Sequence, residues 1–124
     1  MTAEEKVSLI TEAADELKAD RVVVLDVRGQ TQIADFFIIC SGTSDTHIRA
    51  IADRIIEKMR EHGVEKPRRE GMDVAQWVLL DYGDVVAHIF APEEREYYNL
   101  ESFWSGARVV ELVERSRTRE EAVV

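Results

Sequence analysis

The chain has 124 residues, enough for one domain with its own core, and its 45% hydrophobic and 33% charged content suits a soluble globular protein. No apolar run approaches the roughly 18 residues of a membrane span. The net charge of −9 excludes broad binding of bare nucleic acid, which runs on neutralising phosphates; little direct nucleic-acid contact is expected, and a protein partner near RNA would be basic.

The opening Met1-Thr2-Ala3-Glu4-Glu5-Lys6 has no basic region leading into an apolar stretch, so no secretory leader is expected. Thr2 and Glu5 stand at capping-box spacing, and Ile10, Ala13, Ala14 and Leu17 follow helical spacing, which predicts a helix over residues 3–18. Val22–Val27 is short and β-branched, as a buried strand should be, and Arg28-Gly29-Gln30 turns the chain. Phe36–Cys40 is a second strand, apolar on both faces. Cys40 is the single cysteine, so no internal disulfide forms and a reducing, cytoplasmic location fits best. Ser41-Gly42-Thr43-Ser44 then breaks the strand and supplies an N-cap. Ile48, Ile51, Ala52, Ile55, Ile56 and Met59 repeat at the spacing of one helix face, and Gly63 stops the helix.

Residues 68–72 are a strand candidate after Pro67. Gln76–Asp81 and Asp84–Phe90 read as strands joined by a tight turn at Tyr82-Gly83, although Tyr is unusual where a turn needs positive φ. Pro92–Tyr98 and Leu100–Trp104 read as short helical turns. From Ala107 the chain is charged, with Val109, Leu112 and Val113 at helical spacing: a loose helix or a frayed tail. This order predicts an α/β fold, a single-domain layer sandwich with a mixed sheet of about five strands and one face partly uncovered.

Few residues offer chemistry. Ser41-Gly42-Thr43-Ser44 has one glycine and no following Lys-Ser/Thr, so it is neither a P-loop nor a dinucleotide fingerprint. Asp81 and Asp84 are the nearest approach to a two-metal carboxylate set, with Asp26 and Asp35 flanking the first two strands; turn and strand-end roles account for them better. His47, His62, His88 and Cys40 lack zinc spacing, and a Cys40/His88 nucleophile pair competes with a buried inert thiol. No cofactor and no metal are expected. Lys66-Pro67-Arg68-Arg69, the basic cluster, could touch a phosphate or an acidic partner but reads better as a solvated strand edge.

A two-residue turn at Tyr82-Gly83 sets Asp81 opposite Asp84, Leu79 opposite Val86 and Trp77 opposite His88, all on one face. Val78, Leu80, Val85 and Ala87 fall on the other, a compact aliphatic set suited to packing under helices. The first face has the composition of an interface, and both an interface and a core place stay open for Trp77. Arg95–Trp104 adds five large apolar or aromatic residues among charges, more than so short a segment can bury.

Ala34-Asp35-Phe36-Phe37-Ile38-Ile39-Cys40-Ser41-Gly42-Thr43-Ser44 resembles the second-strand segment of the ribosomal silencing factor (Iojap-like) family. The match continues through Arg49–Asp53, Glu70-Gly71, Trp77–Pro92, Arg95, Tyr98, Leu100-Glu101 and Trp104, and so covers about residues 5–105. Phe103 departs from the family's usual Leu, and Ser105-Gly106 from its Gly-Asp pair. The resemblance implies a nucleotidyltransferase-like fold without the catalytic carboxylates, residues 1–107 as the silencing domain and 108–124 as a tail. It implies no enzyme, but a cytoplasmic translational repressor that binds protein fourteen on the joining face of the large ribosomal subunit and sterically blocks the small one under nutrient limitation. Homodimers are also implied. A large-subunit assembly factor and a residual nucleotide-binding or transferase activity are the alternatives. The expected contact residues are Trp77, Leu79, His88, Arg95, Tyr98 and Trp104.

Overall fold

The computed structural model describes residues 1–103 and 108–112. Its first helix, α1 (Ala3–Glu16), starts at the expected capping box: the Thr2 hydroxyl accepts from the Glu5 amide at 3.1 Å and the Thr2 amide donates to Glu5 Oε1 at 2.8 Å. It ends two residues earlier than the apolar spacing suggests, because Lys18 already takes positive φ. Strand β1 (Asp20–Asp26) and strand β2 (Phe36–Ser41) pair antiparallel. Helix α2 (Asp45–Glu61) is capped by Ser44, whose side chain accepts from the His47 amide. Strands β3 (Arg68–Glu70), β4 (Trp77–Asp81) and β5 (Val85–Phe90) follow, then helix α3 (Pro92–Tyr98), a single turn α4 (Leu100–Phe103) and strand β6 (Arg108–Leu112).

The sheet order is β3-β4-β5-β2-β1-β6. Among the described strands only β2 and β5 pair parallel, so the sheet is mixed, as expected. Five of its strands are the predicted ones. The sixth is a correction: Arg108–Leu112 is neither a loose helix nor a frayed tail but an extended strand paired with β1. Three apolar residues are too few to separate a helical period from a strand, and the Val109-Val110 pair favours the strand. The boundary expected at residue 107 thus falls just before a strand of the sheet, while residues 113–124 of the expected tail lie outside the described residues.

Helices α1 and α2 cover one sheet face. Ile10 and Ala14 of α1 and Ile48, Ile51, Ile55 and Met59 of α2 pack on Val24, Ile38, Val78, Leu80, Ala87 and Ile89. The aliphatic face of the β4–β5 hairpin therefore lies under helices, as its composition requires. Lys58 ties the two helices by pairing with Glu12 at 2.6 Å and with Glu16, and Arg54 meets Glu16 at 2.7 Å. The opposite face carries a smaller cluster, Leu25, Val27, Ala34, Phe37, Ile39, Val86 and Phe90, with Trp77, Leu79 and Leu100 packed at its margin.

The hairpin turn is also corrected. Tyr82 pairs with Val85, its amide donating to the Val85 carbonyl at 2.9 Å, so Gly83-Asp84 is the turn. Gly83 sits at φ +91° while Tyr82 keeps negative φ. Positive φ at the first central position is the pattern of a type II′ turn, which demands glycine there. The register moves by two residues: Trp77 opposes Phe90, Leu79 opposes His88 and Asp81 opposes Val86. An even shift leaves every side chain on its expected face. Since a Cβ at Gly83 would meet nothing within 4 Å, Gly83→Ala should cost only the backbone strain, about 1–2 kcal/mol, read as a modest fall in the urea midpoint.

Candidate functional site

The face of the hairpin turned away from α1 and α2 gathers the aromatic residues. Trp77 opens β4 and Phe90 ends β5; their register pairing stacks the rings at 4.9 Å between centroids, tilted by 28°. The chain leaves β5 straight into α3, because Pro92 begins that helix and the Ala91 amide still donates to the Gln76 carbonyl at 2.8 Å. This short exit folds α3 back beside the strand ends and brings Tyr98 to 4.5 Å from Trp77. Asn99, in the left-handed conformation, ends the helix there. Tyr97 stands perpendicular to Tyr98 at 5.1 Å, and the two are 82% and 47% exposed.

Arg95 lies on the inner side of α3 and is only 3% exposed. Its guanidinium donates to Ser41 Oγ at 3.0 Å and to the Asp20 carbonyl at 3.4 Å, so it fastens α3 to the ends of β2 and β1. His88 is likewise buried. The Trp77 indole N–H donates to His88 Nδ1 at 3.1 Å, and the Phe37 ring meets the imidazole edge-on at 5.1 Å. Burial pushes the imidazole down to about 4, with the charge of Asp81 opposing the shift. Of the expected contact residues, Trp77, Leu79 and Tyr98 reach the surface, while His88 and Arg95 lie beneath it. Trp104 lies outside the described residues. Phe90 and Phe37, which support Trp77 and His88, and the exposed Tyr97 were missed. Phe90 was within reach, since the positive φ that only glycine tolerates at Gly83 sets the register.

The buried imidazole has a consequence for stability. The unfolded ring titrates near 6.5 and the folded ring near 4, so the neutral form contributes stability that is complete above pH 6.5 and lost as pH falls toward 4. Between pH 7 and pH 5 this loss should reach about 2 kcal/mol. Thermal melts at the two values should show His88→Leu losing correspondingly less stability than the wild type.

Other candidates resolve into structural roles. Asp81 accepts from the Gly83 amide at 2.8 Å and pairs with Arg68 at 3.1 Å, and Asp84 pairs with Lys6 of α1 at 2.8 Å. Cys40 pairs in register with Ile89 while His88 pairs with Ile39, so thiol and imidazole point to opposite faces and form no nucleophile pair. Burial also pushes the Cys40 thiol up to about 12. His47 is not loose on the surface: Nδ1 accepts from the Thr43 amide at 2.9 Å and Nε2 lies 2.7 Å from the Leu17 carbonyl, joining the two helix ends. Arg68 and Arg69 form the exposed edge strand, with Arg68 drawn to Glu70 and Asp81. Among the described residues no group of three metal-binding side chains occurs, and no helix is long and apolar enough to cross a membrane.

Residues 1–123 match the family model described as ribosomal silencing factor during starvation. The ribosomal silencing factor of Halalkalibacterium halodurans is 46% identical over 112 residues, spanning 90% of this chain and 96% of that protein. The chloroplastic Iojap protein of Zea mays is 40% identical over 83% of this chain and 45% of its own length. A crystal structure of a protein from Chromobacterium violaceum superposes with a TM-score of 0.82 at 32% identity, covering 91% of this chain and 93% of that one.

Proposed function

The chain belongs to the ribosomal silencing factor family, and from that premise we propose that it represses translation by binding the large ribosomal subunit and blocking its union with the small one. Its relatives are named as silencing factors rather than enzymes. The proposed site is the face of the hairpin turned away from α1 and α2. Trp77, Leu79, Tyr98 and Trp104 make the contact with protein fourteen of the large subunit, and His88 and Arg95 hold that surface from below.

The observation that carries the reading is the aromatic strip: Tyr97 and Tyr98 exposed at 82% and 47%, seated against the half-buried Trp77. Tyr and Trp dominate binding energy where they meet a partner, and an exposed aromatic patch is costly unless something covers it. The acidic chain suits a basic ribosomal partner. Repression under nutrient limitation, a cytoplasmic location, homodimer formation and the absence of any catalytic role complete the proposal.

Sedimentation tests it. The protein should comigrate with purified large subunits and not with small ones. Binding should weaken as salt rises if complementary charge contributes. A protein that stays at the top of the gradient in the presence of large subunits would contradict the proposal.

A further inference from the structure

His88 sits in the middle of β5 among Val86, Phe90, Leu79 and Ile39, where an aliphatic side chain would fit the pattern of its neighbours. It is instead a polar ring, buried on the face that carries the aromatic strip. An indole N–H can only donate, so the 3.1 Å bond from Trp77 makes His88 Nδ1 the acceptor and places the neutral ring's proton on Nε2. That Nε2 is buried and, among the described residues, has no hydrogen-bond partner. A buried donor left without an acceptor is destabilising, and departures of this kind concentrate where function requires them. The position therefore carries a stability cost whose visible return is one bond, the one that fixes the Trp77 indole.

We propose that His88 is a positioning residue: its Nδ1 holds the Trp77 indole in the single orientation, tilted between Phe90 and Tyr98, that the ribosomal partner meets. This rests on the reading above that Trp77 belongs to the contact surface. Without the acceptor, the half-buried indole is free to turn its N–H toward water and leave the stack. Binding must then restore the orientation, and affinity falls by the fraction of molecules that hold it. Among the described residues, Asp81, across the same face, is the one charged group that acts on the ring, and it is already engaged by Arg68 and the Gly83 amide.

The test separates positioning from packing, because the two move stability and binding in opposite directions. His88→Leu keeps the volume and removes both nitrogens. His88→Asn is smaller and leaves a cavity, but its Oδ1 occupies the place of Nδ1 and accepts. Full-length variants are compared at pH 7 by melting temperature, by cosedimentation with purified large subunits, and by the indole N–H resonance of Trp77, assigned with Trp77→Phe. The expected result is a His88→Leu melting temperature at or above wild type with affinity about tenfold weaker, and a His88→Asn melting temperature below wild type with affinity within about threefold of it. The Trp77 indole resonance should shift upfield in His88→Leu and stay near its wild-type place in His88→Asn. Affinity that simply follows melting temperature across both variants, or an unmoved indole resonance in His88→Leu, would overturn the positioning role. If Trp77→Ala itself binds large subunits as the wild type does, the site reading fails instead, and the resonance comparison still decides whether His88 holds the indole.

Discussion

Trp77→Ala should weaken binding to the large subunit about thirtyfold while the protein stays folded. Truncating a central aromatic anchor costs about 2 kcal/mol or more, which converts to that factor. The fold pays a smaller amount than a core tryptophan would exact. Complete burial would predict a stability loss of about 3–5 kcal/mol. Trp77 is only half-buried, at the start of β4, so its loss uncovers Phe90 and frees His88 Nδ1 without opening a closed cavity. About 1–3 kcal/mol of stability is the expected share, read from the urea midpoint. Tyr98→Ala removes the exposed partner of the same stack, so its effect should fall mainly on binding. If Trp77→Ala and Tyr98→Ala both bind normally in folded protein, the strip is not the contact.

Gly71→Ala should be the most destabilising single methyl addition in the described chain. Gly71 has φ +83°, and a Cβ there would lie 2.1 Å from the Trp77 carbonyl oxygen. The obstacle is backbone, not a flexible side chain, so β4 or the loop before it must move. Strain from the left-handed conformation adds to the overpacking, for about 3–5 kcal/mol together. Gly83→Ala is the matched control, with φ +91° and open space around the new methyl. The melting temperature should therefore fall by more than about 10 °C for Gly71→Ala and by only a few degrees for Gly83→Ala. Because the collision is with Trp77 itself, any folded Gly71→Ala protein should also bind large subunits poorly. Equal melting temperatures for the two variants would refute this account of Gly71.

The elements whose signals are local were legible in the sequence. The capping box at Thr2 and Glu5, the apolar stripe from Ile48 to Met59 and the β-branched runs each encode their own structure within one element. What failed depended on discrimination between neighbours. Spacing alone puts the turn at Tyr82-Gly83, one residue early, because it ignores the φ requirement, and the expected pairing is then off by two residues. Strand β6 was missed because pairing with β1 is a long-range event that three apolar residues do not announce. At the site, alternation correctly set Trp77, Leu79 and His88 on one face, since it survives an even register error. Burial was less legible. Nothing in the spacing shows that Arg95 turns inward to Ser41 rather than outward, because that depends on the angle at which α3 returns over the strand ends.

Subunit joining is the most direct test of the whole account. Mature large subunits are incubated with saturating protein, small subunits are added, and the joined particles are separated on a sucrose gradient. The joined peak should fall in proportion to the large subunits occupied, and Trp77→Ala at the same concentration should restore it. Undiminished joining on large subunits that demonstrably carry the protein would contradict silencing and leave a role in large-subunit assembly as the reading to pursue.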